Sequence, residues 1–502
     1  MEVSPILIAA CDGVALARYR TTRQPHARAR QRARERRRVD QPNKTYCIVG
    51  LGHRSQMYLN ALLGAHARDG TLVGLCDSNP GRLAFATDHA RAAGRAVPGY
   101  DAAGFAAMLA QTRPDRVIVT VPDHLHADYI VAALHAGCDV ITEKPLTTDA
   151  VACARILAAR KTSGRAVIVG FNYRYSPIRT LFKQVLMSGI IGHVQSATFE
   201  WQLDTHHGAD YFRRWHRRKE NSGGLFVHKA THHFDLLNWW LGAVPRRVTA
   251  LGRRVFYRPE IGDALGLADR GTRCSACPAF ARCGFRLDIT ASDHLRALYA
   301  DAEHHDGYLR DACVFDPDID IEDSMSALIE YGNGVVANYT LTAYNPCEGY
   351  RVVFDGTRGR AELRNVERQA VNPDGSLIRP APPEQDRITV QPHFARPYVL
   401  ALPEAQGLHG GGDAVMLRRL FAEPSNDQYG HVADERAGAW SAMVGMAANA
   451  SMAHGMAVDL ASLMPDCPET PDYAPDPFGP REIWRSFDAS RYPFLLGARL
   501  VE

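Results

Sequence analysis

From residue 44 to residue 169 the chain repeats one pattern: a short apolar run rich in β-branched residues, then a segment of helical spacing. Residues 45–50, 72–77, 116–121, 139–142 and 166–169 read as strands, too brief and too β-rich for helices. Residues 56–66, 82–93, 126–136 and 151–161 read as the helices between them. Strands that alternate with helices form βαβ units, so this part must build a parallel sheet in an α/β domain, residues 44–170. After about residue 175 the grammar changes. Residues 193–202, 246–257, 323–341 and 350–363 are longer alternating runs, which suit an antiparallel sheet with one covered face. They mark a second α/β domain, 171–463, interrupted by a Cys- and Asp-rich insertion at 258–318. A Pro-rich tail, 464–502, follows, and no internal repeat occurs.

The first strand runs into Gly50-Leu51-Gly52-His53-Arg54-Ser55, with Gly, Gly and Ser in the slots of the G-x-G-x-x-G loop. Glycine permits the tight turn and lets backbone N–H groups approach a pyrophosphate at a helix N-terminus. Asp77 ends the second strand 22 residues beyond Ser55, where an acid accepts hydrogen bonds from an adenosine ribose. That carboxylate would repel a 2′-phosphate, which points to NAD over NADP. Glu143-Lys144-Pro145 follows the strand at 139–142, at the carboxyl edge where such folds bind ligands. A lysine there can hydrogen-bond a substrate hydroxyl or stabilise a developing alkoxide.

Together with Pro122-Asp123-His124-Leu125-His126, Ala136-Gly137 and Leu146, these motifs resemble the Gfo/Idh/MocA oxidoreductase family, which includes glucose–fructose oxidoreductase and inositol dehydrogenases. The resemblance covers residues 44 to about 175 in consistent order and continues more loosely to about 462. It implies a Rossmann domain followed by an α/β domain on a large, open, mostly antiparallel sheet, with the active cleft between them. It further implies NAD(P)-linked chemistry on sugars, cyclitols or related polyols, and a homodimer or homotetramer paired through the open sheet. Gly50, Gly52, His53, Arg54, Ser55, Asp77, Pro122, His126, Glu143 and Lys144 would border the cofactor, and Lys144 would be the catalytic lysine.

The second domain carries Gly223-Gly224-Leu225-Phe226-Val227-His228-Lys229-Ala230-Thr231-His232-His233-Phe234-Asp235. Family members usually hold an Asp and a His four residues apart here; this chain has His228 and His232. On a continuous helix His228, His232, Asp235 and Trp239 share one face, while Leu236, Leu237 and Trp240 turn to another and read as core. A histidine can take a hydroxyl proton as hydride leaves the same carbon, so His232 is the expected base, Lys144 polarises the oxygen, and His228 contacts the substrate. Loss of the usual Asp removes the carboxylate that would orient the imidazole. Tyr173, His207, Tyr211, Arg214 and Trp215 form a mixture suited to stacking on and hydrogen-bonding a sugar; Tyr175 could assist in acid–base steps. A histidine pair at i and i+4 can also hold a metal, with His206, His207 or His409 as a third ligand.

The insertion contains Cys274, Cys277 and Cys283, with Cys313 thirty residues later. Thiolates at C-x2-C spacing suit tetrahedral Zn²⁺, so structural zinc is expected, with an iron–sulfur cluster or unligated thiols as alternatives. His304 or His305 could replace Cys313. The other seven cysteines are scattered, which suggests reduced thiols in a cytoplasmic protein. No apolar run reaches the roughly 18 residues of a membrane span. The net charge of +3 hides an uneven distribution: residues 18–38 hold ten arginines against one acid, Glu35. The rest is mildly acidic and offers no case for nucleic-acid binding. Residues 1–43 read as a disordered extension, and not as a signal peptide, because their apolar start precedes the basic tract.

The leading expectation is therefore an NAD-dependent dehydrogenase for a cyclic polyol or sugar. The same fold supports glycoside cleavage by transient oxidation with cofactor recycling, which needs more acid–base groups. A cofactor-binding regulator is the non-enzymatic alternative, with the arginine tract as its supporting feature.

Overall fold

The computed structural model describes residues 43–372, 375–378, 386–404, 407, 409–422, 427–473, 489, 492–495 and 497–500. The arginine tract and much of the Pro-rich tail lie outside the described residues. Two sheets organise the chain from Lys44 onwards.

The first sheet holds β1 (Lys44–Val49), β2 (Gly70–Cys76), β3 (Gly99–Tyr100), β4 (Arg116–Val119), β5 (Asp139–Thr142) and β6 (Val167–Val169). Their spatial order is β6-β5-β4-β1-β2-β3, all parallel. The inner strands are almost wholly buried and correspondingly apolar. Side chains fix where the helices begin. Asn79 accepts the N–H groups of Gly81 and Arg82 ahead of helix Pro80–Ala92, and Asp149 accepts that of Ala152 ahead of helix Ala150–Ser163. Helix Phe105–Thr112 and β3 are additions to the sequence reading; an eight-residue helix and a two-residue strand leave too little periodicity to detect.

The second sheet is built from β7 (Val194–Asp204), β8 (Pro245–Arg253), β9 (Ser324–Tyr331), β10 (Val336–Asn345), β11 (Glu348–Gly356), β12 (Gly359–Arg368), β13 (Arg387–Pro392) and β14 (Tyr398–Val399). In it β7 lies parallel to β10 and antiparallel to β11, and the remaining pairs are antiparallel. The sheet is open: its order among the described residues runs β8-β9-β10-β7-β11-β12-β13-β14 between two short edge strands. Two of the four alternating runs, 323–341 and 350–363, each prove to be a hairpin, because a short turn does not interrupt their alternation. The inward set, including Phe199, Trp201, Tyr339, Leu341, Val352 and Phe354, is buried. From helix Thr231–Leu241, Phe234 packs at a tilt on Tyr339 and His233 face-on on Trp201. Leu251 and Leu328 point out to solvent.

Late in the chain, β15 (Ala433–Asp434) returns to the first sheet and pairs antiparallel with β6. The helix Glu435–His454 then begins under an Asp434 cap and is buried along most of its length. The insertion also reaches across: Ala302 accepts a hydrogen bond from Asn79 Nδ2 at 2.9 Å, and its methyl group faces Gly81.

Candidate functional site

Strands β1, β4 and β5 end together, and their carboxyl termini floor a cavity of about 730 Å³ between the two sheets. Chain order reverses between β1 and β4, the point where open α/β sheets take ligands. Gly50 turns the chain here at φ +84°, and a Cβ on it would stand 2.6 Å from Val121 N. Only glycine fits both demands. Ser55 is buried in the turn, donating to Gly52 O at 2.7 Å, and does not line the cavity.

Asp77 stands at the end of β2 on the cavity wall. It accepts the Leu51 N–H at 2.5 Å and the Asn79 N–H at 2.7 Å, so it braces the loop as well as facing the cleft. Arg82 Nε approaches it at 3.3 Å, and the same guanidinium pairs with Asp306 of the insertion. Two carboxylates thus share one arginine, leaving the corner acidic. The insertion covers the neighbouring loop: the His53 N–H donates to Tyr299 Oη at 2.9 Å. Burial, then Arg214, pushes the His53 imidazole down to about 4.

At the other end Lys144 Nζ lies 3.1 Å from His228 Nε2 and donates to the His228 carbonyl at 3.2 Å. His228 Nδ1 in turn stands 2.5 Å from Asp123 Oδ2. With Asp123 as the carboxylate, which only accepts, Nδ1 carries the proton and Nε2 accepts from Lys144. Burial lowers the lysine to about 8, with Asp123 and Glu143 opposing. Burial, and then Lys144, holds His228 well below the usual imidazole range. Burial holds the Asp123 carboxyl well above the usual carboxylate range, with Lys144 opposing. As a neutral amine Lys144 would spend both N–H groups on His228, leaving its lone pair for a hydroxyl proton. Glu143 is held by Arg54 Nε at 2.6 Å and by Tyr58 Oη at 2.9 Å.

The expected helix through His228 and His232 is broken. One short helix ends at His228 and the next begins at Thr231, with Lys229 and Ala230 between. Both histidines still line the cavity. His232 stacks on Tyr173 at 4.3 Å, and its Nδ1 is buried with no hydrogen-bond partner among the described residues. Asp235 and Trp239 belong elsewhere. Asp235 forms a buried pair with Arg174 at 2.6 and 2.7 Å, and Trp239 Nε1 donates to Tyr429 O.

Tyr173, His207, Tyr211, Arg214 and Trp215 all line the cavity, as does His409. Tyr211 Oη meets His207 Nε2 at 3.1 Å, and His207 Nδ1 meets Glu348 at 2.8 Å. Burial alone would push the Glu348 carboxyl up, but His207, Lys229 and Arg368 outweigh it and hold it at about 2. Lys229 Nζ donates to Tyr173 Oη at 3.2 Å. Trp215 stacks on His216, whose ring meets His228 at 4.1 Å. His126 turns its ring nitrogens to Pro145 O and Val121 O, and so ties the lysine loop to the end of β4. Tyr175 stacks on His431 and lies outside the cavity lining, as does His206. Sequence reasoning missed Asp123, Lys229, Glu348, Asp306 and Tyr299 as site residues.

The four insertion cysteines line a separate cavity of about 20 Å³, whereas His304 and His305 pack at a tilt against each other and do not line it. Among the described residues no group of three or more His, Cys, Asp or Glu side chains is placed to hold a metal ion. No described helix is long and apolar enough to cross a membrane.

Two family models match the chain. Residues 44–171 match the oxidoreductase-family NAD-binding Rossmann fold, and 183–460 the C-terminal alpha/beta domain of the same Gfo/Idh/MocA family. The chain is 36% identical over 412 residues to a Bacillus subtilis protein named as oxidoreductase YteT, covering 80% of this chain and 94% of that one. An inositol 2-dehydrogenase of Rhizobium meliloti is 31% identical over 220 residues, covering 43% of this chain and 60% of the relative. Among solved structures, the WlbA dehydrogenase of Bordetella pertussis, in complex with NADH and UDP-GlcNAcA, superposes with a TM-score of 0.55. It covers 83% of this chain and 99% of its own at 18% identity, a likeness of fold. The chain therefore belongs to the Gfo/Idh/MocA oxidoreductase family and is a dehydrogenase with an NAD-binding Rossmann domain.

Proposed function

We propose that this dehydrogenase oxidises a secondary hydroxyl of a sugar, cyclitol or related polyol with NAD. The observation that carries the reading is the Lys144–His228–Asp123 chain at the end of the cleft opposite Asp77. The residues present suit a nicotinamide dinucleotide: a glycine turn whose missing Cβ keeps backbone accessible, an acid at the end of β2, and a cleft at the switch point. Gly50, Gly52, His53, Arg54, Asp77, Pro122 and Glu143 would hold it. When bound, the cofactor supplies the acceptor for the hydride that leaves the substrate carbon.

The chain's own residues handle the proton. Neutral Lys144 takes it from the substrate hydroxyl onto Nζ, and the His228–Asp123 pair stabilises the resulting ammonium. His232 and Tyr173 pack against the substrate, and His207, Tyr211 and Arg214 hydrogen-bond its remaining hydroxyls. Wall groups that are both aromatic and hydrogen-bonding favour a polyhydroxylated ring over an apolar alcohol. The acidic corner at Asp77 and Asp306 supports NAD over NADP. The open outer face of the second sheet favours a homodimer or homotetramer. Purified protein incubated with NAD and a panel of sugars, cyclitols and aryl glycosides tests the reading. NADH accumulating with a free polyol supports it. Aglycone release that requires NAD, without NADH building up, would replace it with cofactor-recycling glycoside cleavage.

A further inference from the structure

Between Arg258 and Asp318 no helix or strand exceeds six residues. Ile289, Leu298 and Tyr299 form a small apolar cluster of the insertion's own, while Leu267, Ala279, Val314 and Phe315 join the main core with Cys277, Cys283 and Cys313 packed against it. Irregular backbone of this kind is held by a cross-link or a metal where one is bound. The half of the insertion remote from that cluster is where the four cysteines converge.

An isolated antiparallel bridge joins Arg273 to Ala312, flanked by Cys274 N–H donating to Asp311 O and Cys313 N–H donating to Thr272 O, each at 2.8 Å. Strand alternation then puts Cys274 and Cys313 on the same side of this ribbon. Two short turns, Cys274–Ala276 and Phe280–Arg282, bring Cys277 and Cys283 to the same small cavity. Backbone N–H groups are directed at all four sulfurs. Leu287 donates to Cys274 at 3.4 Å, Gly271 to Cys277 at 3.3 Å and Phe285 to Cys283 at 3.4 Å. Phe315 does the same for Cys313. Arg213 Nη1 adds a contact to Cys274 at 3.8 Å.

N–H groups turned on sulfur are contacts that a metal-bound thiolate keeps, and four sulfurs lining one small space are the donor set of a tetrahedral cation site. The remaining wall includes Phe280, Phe285 and Phe315. A cavity of about 20 Å³ admits one small ion. We propose that Cys274, Cys277, Cys283 and Cys313 form a four-thiolate site for a single Zn²⁺-type cation, with the sulfurs converging on the ion to the roughly 2.3 Å Zn–S distance. Binding exchanges four S–H protons for the metal and leaves a net charge near −2, which Arg213 and the neighbouring backbone N–H groups offset. The bound ion pins the base of the insertion whose far end covers the His53 loop, independently of the substrate assignment.

The test uses the full chain, produced with added zinc and purified without oxygen or chelator. About one zinc per chain is expected by elemental analysis. Replacing it with Co²⁺ should give an intense thiolate-to-cobalt absorption band. Cys277→Ser and Cys313→Ser should each lose most of the metal, whereas Cys467→Ser, outside the cavity, should retain it. Stripping the wild-type metal should expose four additional titratable thiols and speed proteolysis within 258–318 at least several-fold. That measurement needs no variant that might misfold. Zinc below about a tenth per chain with no cobalt band would overturn the proposal. So would an iron–sulfur chromophore or disulfides joining these cysteines.

Discussion

Asp123 and His228, from different domains and 105 residues apart, meet at 2.5 Å, and through that contact the first domain supplies the carboxylate that the second domain's helix lacks. Position 228 holds an imidazole in place of an acid, and the acid stands behind it in place of beside it. Asp123→Asn should keep the shape and remove the charge, lowering kcat for polyol oxidation by about 10²-fold, the low end of general acid–base contributions. Cofactor affinity, followed by NADH fluorescence, should stay within about twofold. Unchanged kcat would remove Asp123 from the mechanism.

The pH profile gives the sign of the lysine's role. Lys144 titrates at about 8, and the proposed acceptor is its neutral form, so kcat/KM for oxidation should rise with pH and level off above that value. Asp123 favours the ammonium. Its removal in Asp123→Asn should therefore move the inflection to lower pH. A rate that falls above pH 8 would instead mark the ammonium as the active form.

Cofactor choice should respond to the shared arginine. Asp77→Ser removes one of the two carboxylates around Arg82 and frees the guanidinium for a 2′-phosphate. The ratio of kcat/KM for NAD to that for NADP should fall by at least about tenfold, or ~1.4 kcal/mol. An unchanged ratio would locate discrimination elsewhere.

Tyr299→Ala should uncover the His53 N–H that the phenol now caps. Loss of one hydrogen bond's net worth predicts a roughly 3- to 10-fold faster NADH dissociation in stopped-flow fluorescence. The chemical step in single turnover should be unaltered.

Asp235 makes a structural prediction. It and Arg174 are both nearly inaccessible, at 1% and 2% side-chain exposure, and Asp235→Ala would strand the guanidinium. Breaking a buried pair from one side costs about 3–5 kcal/mol. The variant should unfold at markedly lower denaturant, while its residual folded fraction keeps wild-type KM.

Much of this was legible before any coordinates because the parallel half is local. A strand such as 139–142, a lysine one residue past its end, and a glycine loop after the first strand are all contained in short windows. Lys144, His228, His232 and the wall residues Tyr211 and Arg214 were accessible for the same reason. The site's second layer was not. Asp123 lay inside a quoted motif, but its partner is far along the chain, and Tyr299 meets His53 across 246 residues. No periodicity connects such pairs. The one available hint was chemical: a histidine in the acid's slot requires a carboxylate from somewhere else. Asp235 and Trp239 share an unbroken helix with His232, but they lie one and two turns further along it, where Arg174 and the Tyr429 carbonyl take them up; a helical wheel gives the face and not the depth.

The return of Ala433–Asp434 to β6 bears on how such a protein can be cut and recombined. Two domains in linear order invite a chimera with the join near residue 170, yet that junction would strip β6 of its outer neighbour and leave an open strand edge on the donor half. Exchange of cofactor modules between relatives would therefore have to carry the segment around residues 433–448 along with residues 44–170, as a discontinuous unit. Gene fusion at the obvious linker is the wrong grammar for this architecture.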